Sequence, residues 1–178
     1  MLTLNPRGLL PILVHEDTVI TESAAIIGYL DRLYPSEPSL FGATAEDQAL
    51  VWSKVLDFNS NVLPFIGRQL IRPMFTGATK GRETKIKVAA ERVHQELLSL
   101  DEQMASQTWI VDRIGHISAA DILIFPFIAC LERIGEKEEA QVLGLTCTNI
   151  KQQYSYIYKW YTLLKGLDAY NASYPPHW

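Results

Sequence analysis

Asn5-Pro6-Arg7-Gly8-Leu9-Leu10-Pro11-Ile12-Leu13-Val14, followed after a short turn by Val19-Ile20-Thr21-Glu22-Ser23, is the stretch from which the fold can be read. Proline cannot donate to a strand ladder, so Pro11, directly before an apolar run, has to sit at a strand edge or a backbone bend. A cis Leu10-Pro11 bond would turn the chain there. The N–H and C=O of Leu10 would then be open to an extended ligand, as a sheet edge is open to an added strand. Ile12-Leu13-Val14 pairs with Val19-Ile20, and Ile26, Ile27, Leu30 and Leu33 form a stripe at helical spacing, so the segment reads as a hairpin and a helix ending at Pro35. Glu22 and Ser23 open that helix, where unpaired N–H groups and the helix dipole favour a carboxylate. Two readings stay open here. One is a plain hairpin with a helix capped by Ser23 and with Glu22 on the dipole; the other is a site for a small acidic peptide carrying an amine and a carboxylate at one end.

Working outward, Tyr34-Pro35-Ser36-Glu37-Pro38-Ser39 is a stiff polar connector and the best domain boundary. Beyond it the pattern is helical. Thr44 with Asp47 three residues on makes a short-armed capping box for a helix through Val51, Trp52, Val55, Leu56 and Phe58, which Pro64 should kink or end. After a glycine-bearing loop at residues 76–81, a second long helix carries Val93, Leu97, Leu100 and Met104 on its apolar positions. Trp109-Ile110-Val111 is a short apolar connector. Ser118 and Asp121 are then spaced to satisfy each other's backbone N–H groups at the start of Ile122-Leu123-Ile124-Phe125-Pro126-Phe127-Ile128, a run apolar enough to predict the centre of a helical bundle. Further helices are expected over residues 136–143 and 149–164, with an irregular tail at Tyr174-Pro175-Pro176-His177-Trp178.

The 178 residues suffice for one sizeable core, or for a small domain beside a larger one. With 48% hydrophobic and 20% charged residues the chain is too apolar for disorder. No uncharged apolar run approaches the roughly 18 residues of a membrane span, and no signal peptide opens the sequence, so the expectation is a soluble, cytoplasmic protein without membrane contact. A net charge of −4 argues against nucleic-acid binding, and Lys80, Arg82, Lys85, Lys87 and Arg92, interleaved with Glu83 and Glu91, read as a solvated helix face. Cys130 lies in an apolar helical run and Cys147 in a polar loop, without a Cys-x-x-Cys, so no disulfide framework is expected. His15, His94, His116 and His177 lack the spacing of a metal site, and no metal is assigned.

The order of proline, hairpin and Glu-Ser resembles the glutathione-binding half of the glutathione transferase family, whose first domain is thioredoxin-like. The resemblance implies that Leu10, before a cis Pro11, pairs with the cysteinyl backbone of glutathione, while Glu22 and Ser23 hold its γ-glutamyl group. The capped apolar helix at Ser118 and Asp121, preceded by Trp109-Ile110-Val111, resembles the buried central helix of the family's C-terminal domain. Family members usually carry a glycine after that apolar segment, where this chain has Asp112-Arg113. The implied fold is α+β, mostly α: a partial thioredoxin-like β-β-α unit at residues 1–34, a linker at 35–43 and an all-helical domain at 44–178.

By the same resemblance, on the order of 45 to 50 residues of the first domain would precede this sequence, the size of a short supersecondary unit. The catalytic tyrosine, serine or cysteine of the family is expected there, and no catalytic residue is assigned in this chain. The implied function is binding of glutathione as co-substrate and, in a full-length form, conjugation of its thiolate to a small hydrophobic electrophile. An apolar acceptor pocket is expected between the hairpin domain and the helix at residues 45–66. A homodimer is implied as well. The alternative from another class is a non-catalytic transferase-like module for dimerisation or protein contact, or an inactive truncated fragment.

Overall fold

The structure, a computed structural model, describes residues 2–35 and 37–174. The tail expected at Pro175-Pro176-His177-Trp178 lies outside the described residues. Two strands, β1 (Ile12–His15) and β2 (Thr18–Thr21), form an antiparallel hairpin with Ile12 opposite Thr21 and His15 opposite Thr18. The helix α1 (Ser23–Leu33) follows. Helices then account for nearly all regular structure, so the fold is α+β and mostly α. Two compact units can be separated, one within Met1–Leu56 and Ile110–Leu123, the other within Asp57–Trp109 and Ile124–Trp178.

In the first unit, α1 keeps its amphipathic stripe but has no buried residue, and neither strand has one. His15 Nδ1 and the Tyr29 hydroxyl, 2.5 Å apart, tie the hairpin to α1. The connector after α1 is held by Asp31, whose carboxylate accepts from Leu40 N–H at 2.9 Å and from the Ser39 hydroxyl at 2.8 Å. Leu40 C=O in turn accepts from Ala119 N–H at 2.9 Å. The next helix, α2 (Ala45–Asn61), starts as its pattern predicts: Asp47 N–H donates to Thr44 Oγ1 at 3.1 Å, and Thr44 N–H donates to Asp47 Oδ2 at 3.2 Å. Such a reciprocal cap satisfies two donors that the helix leaves orphaned. Gly42 is required beside it, because its φ is 77° and a Cβ there would lie 2.4 Å from Asp47 Cβ.

The segment expected to be loose, Asp112-Arg113, forms a 3-10 turn (Asp112–Ile114) from which Arg113 Nε donates to Asp47 Oδ1 at 2.9 Å. Ser118 and Asp121 are both fully buried and cap α6 (Ala119–Gly135). Asp121 Oδ2 accepts from Ser118 N–H at 2.9 Å and from its hydroxyl at 2.6 Å. Its other oxygen accepts from Ile110 N–H at 2.9 Å, so one carboxylate serves both the helix start and the apolar connector. Where water is excluded, each of those donors would cost about 1–3 kcal/mol if left unpaired.

In the second unit, α2 stops before Pro64, as expected of a residue that breaks helical bonding. The chain continues through α3 (Leu63–Phe65), a π-helical turn (Ile66–Ile71) that the sequence pattern does not announce, and α4 (Arg72–Thr76). Then α5 (Glu83–Met104) buries Ile86, Ala89, Ala90, Val93, Leu97 and Met104. Each large aliphatic among them contributes about 1.5–3 kcal/mol. The part of α6 in this unit buries Ile124, Ile128, Leu131 and Ile134, a stripe rather than a whole circumference. Pro126 is exposed, so the carbonyl freed by its missing N–H can be solvated.

Two expectations are corrected here. The helix expected at residues 136–143 begins at Glu138, as α7 (Glu138–Leu143). The single helix expected at 149–164 is two, α8 (Ile150–Gln153) and α9 (Ser155–Lys165), with α10 (Asp168–Ser173) after them. The break falls at Tyr154, whose φ of −135° leaves the helical region. Tyr154 is fully buried with its hydroxyl 2.5 Å from His94 Nδ1, and Asp101 of α5 accepts from the N–H groups of Tyr156 and Ile157 at 2.8 and 2.7 Å. A cap supplied from another helix thus starts α9 afresh. Cys147, expected in a polar loop, is fully buried. Among the described residues no helix is long and apolar enough to cross a membrane.

Candidate functional site

The hairpin register brings the proposed ligand residues to one end. Ile12 faces Thr21, so Leu10-Pro11, just before Ile12, and Glu22-Ser23, just after Thr21, lie at the same open end of the ladder. The Leu10-Pro11 peptide is cis. The approach to it is organised by Asn5, only 8% exposed: its Oδ1 accepts from Arg7 N–H at 3.1 Å, and its Nδ2 donates to Leu9 C=O at 2.9 Å. Sequence reasoning did not single out Asn5, although an asparagine before Pro-x-Gly is a turn signal. Leu10 itself is 73% exposed, and among the described residues its backbone N–H and C=O have no partner.

At the helix start the structure departs from the plain capping reading. The N-cap position belongs to Glu22, with φ 71° and ψ 121°, and no side chain caps the helix. Ser23 is the first helical residue rather than the cap. Glu22 C=O accepts from Ile26 N–H at 3.0 Å, while among the described residues the N–H groups of Ser23, Ala24 and Ala25 have no acceptor. Glutamate pays roughly 1–3 kcal/mol for such a backbone, and residues so held concentrate at ligand clamps. Unpaired N–H groups, the positive end of the dipole, an exposed hydroxyl on Ser23 and an exposed carboxylate on Glu22 together suit a zwitterionic group.

A cavity of about 590 Å³ lies in the first unit beside α1. Asp31, Arg32, Thr44 and Gln48 line it as well as Phe41 and Trp52. It differs in that polarity from the apolar acceptor pocket expected near α2. Neither thiol has the environment of a nucleophile: burial pushes Cys147 up to about 12, and burial also raises half-buried Cys130. Among the described residues no three His, Cys, Asp or Glu side chains gather as a metal site.

The family model "Glutathione S-transferase, N-terminal domain" matches residues 1–38, the hairpin and α1 with their flanks. "Glutathione S-transferase U1" of Arabidopsis thaliana is 26% identical to this chain over 179 residues, covering 99% of it and 71% of the relative. The chain belongs to the glutathione S-transferase family. "Glutathione S-transferase 1" of Dianthus caryophyllus is 27% identical over 127 residues, 71% of this chain and 56% of that relative. The chain thus spans a little over half to about three quarters of the transferases it matches. The glutathione transferase URE2P6 from Phanerochaete chrysosporium, solved in complex with oxidized glutathione, superposes with a TM-score of 0.77 at 20% identity. The match covers 96% of this chain and 74% of that one, and the likeness is one of fold.

Proposed function

We propose that this transferase-family chain binds glutathione at the open end of its hairpin. The observation that carries the reading is the pairing of an unpartnered Leu10 backbone with an uncapped helix start at Glu22-Ser23, at one end of one ladder. Leu10 N–H and C=O would take the cysteinyl unit as an added strand takes an edge. The Ser23 hydroxyl and the first N–H groups of α1 would donate to the γ-glutamyl carboxylate, and Glu22 would accept from the α-amine. Within the whole protein the sulfur loses its proton, the thiolate attacks an electrophilic carbon, a C–S bond forms and the leaving group departs with the electron pair. None of this chain's own side chains is assigned the stabilisation of that thiolate. Pairing of two copies belongs to the same reading.

Calorimetric titration with glutathione tests it. The parent chain should bind, and Ser23→Ala should weaken binding by roughly tenfold or more, the worth of a hydrogen bond to a charged group. An aryl-halide conjugation assay run in parallel separates binding from turnover. A parent chain that ignores glutathione, or a Ser23→Ala variant that binds it equally well, would overturn the assignment.

A further inference from the structure

A second cavity, of about 500 Å³, opens in the other unit between the C-terminal end of α5 and one face of α9. Met104 and Trp160, each 2% exposed, line its depth. Tyr156, Leu163 and Leu167, between 38% and 43% exposed, line it nearer the surface. Positions 156, 160, 163 and 167 follow helical spacing and so share one side of α9 and its continuation. Ile157, Tyr161 and Leu164 of the same helix are already buried. The exposed apolar residues are therefore a second apolar face gathered at one opening, not the scattered exposure usual for a surface.

The cavity has one charged lining residue, Lys159, which makes no ion pair among the described residues. The helix end that carries this rim is also held firmly. Asp101 of α5 accepts from Tyr156 and Ile157 N–H, so its carboxylate is engaged by the start of α9. An apolar hollow of small-molecule size with a single polar anchor is the usual make-up of a ligand site.

We propose that this cavity binds a small amphipathic acid, one carboxylate or sulfonate on an aromatic or branched hydrocarbon skeleton. The skeleton packs on Met104, Trp160 and Leu163, and the acid group meets Lys159. The site shares no residue with the hairpin end and does not rest on the glutathione reading.

Two dyes that differ in one group test it: 8-anilinonaphthalene-1-sulfonate and its uncharged counterpart N-phenyl-1-naphthylamine, titrated by fluorescence into the full chain. Lys159→Glu should weaken the sulfonate about tenfold and leave the neutral dye unchanged. Leu163→Asp should weaken both. Each substitution is at an exposed position, and far-UV circular dichroism checks that the fold is kept. Saturating glutathione should leave the Lys159-dependent signal in place. The proposal is overturned if neither dye binds, if Lys159→Glu leaves the sulfonate unaffected or weakens both dyes alike, if Leu163→Asp is silent, or if glutathione abolishes the signal.

Discussion

Asp47 shows how one residue collects local and distant partners. It accepts from Thr44 N–H within its own helix turn and from Arg113, which is 66 residues away in the chain. Its hydrogen bonds with Thr44 first, and then the Arg113 guanidinium, hold its carboxyl below the ordinary value of 3.8. A carboxylate depressed in the folded state stabilises the protein above its unfolded pKa, and that contribution is lost as pH falls through the folded value. Asp47→Asn should therefore lower the melting temperature at about pH 6, with the gap to the parent closing as pH falls below the unfolded value toward about pH 2. A gap that stays constant across that series would assign the residue a purely steric role. The capping half of this arrangement was legible, since Thr44 and Asp47 stand three residues apart. The ion-pair half was not, because nothing local to Arg113 names its partner.

At the scale of elements, the helix start at Glu22 trades stability for an open end. A side chain at φ 71° costs free energy that a glycine does not, so Glu22→Gly should stabilise the chain by about 1 kcal/mol in urea unfolding. Under the glutathione reading the same substitution should weaken binding, because the carboxylate facing the amine is removed. Greater stability together with unchanged affinity would separate the strained backbone from the ligand. The start of α9 presents the opposite case. Its first N–H groups are capped by Asp101 from α5, 55 residues away from Tyr156. Periodicity alone therefore ran α8 and α9 together, since the apolar spacing continues across Tyr154 while the backbone does not.

Over the whole molecule, burial is uneven. The hairpin and α1 contribute no buried residue, whereas α5 contributes six and the second-unit part of α6 four. Amide protection follows such differences, because segments with little burial open locally at low free energy. Hydrogen exchange should be fast in β1, β2 and α1 and slow through Val93 and Leu97; equal protection of the two would contradict this distribution. The sequence by itself determined the hairpin, the succession of helices, both capping boxes and the placement of Leu10-Pro11 and Glu22-Ser23 on either side of one ladder. Each depends on neighbours within a few residues, where spacing and side-chain chemistry are sufficient. Only the tertiary structure decided that Arg113 reaches Asp47, that Asp101 restarts a helix, that Cys147 is buried and that α9 carries a second apolar face beside Lys159. Those outcomes depend on which distant segments pack together, and packing rewards apolar area without regard to separation along the chain.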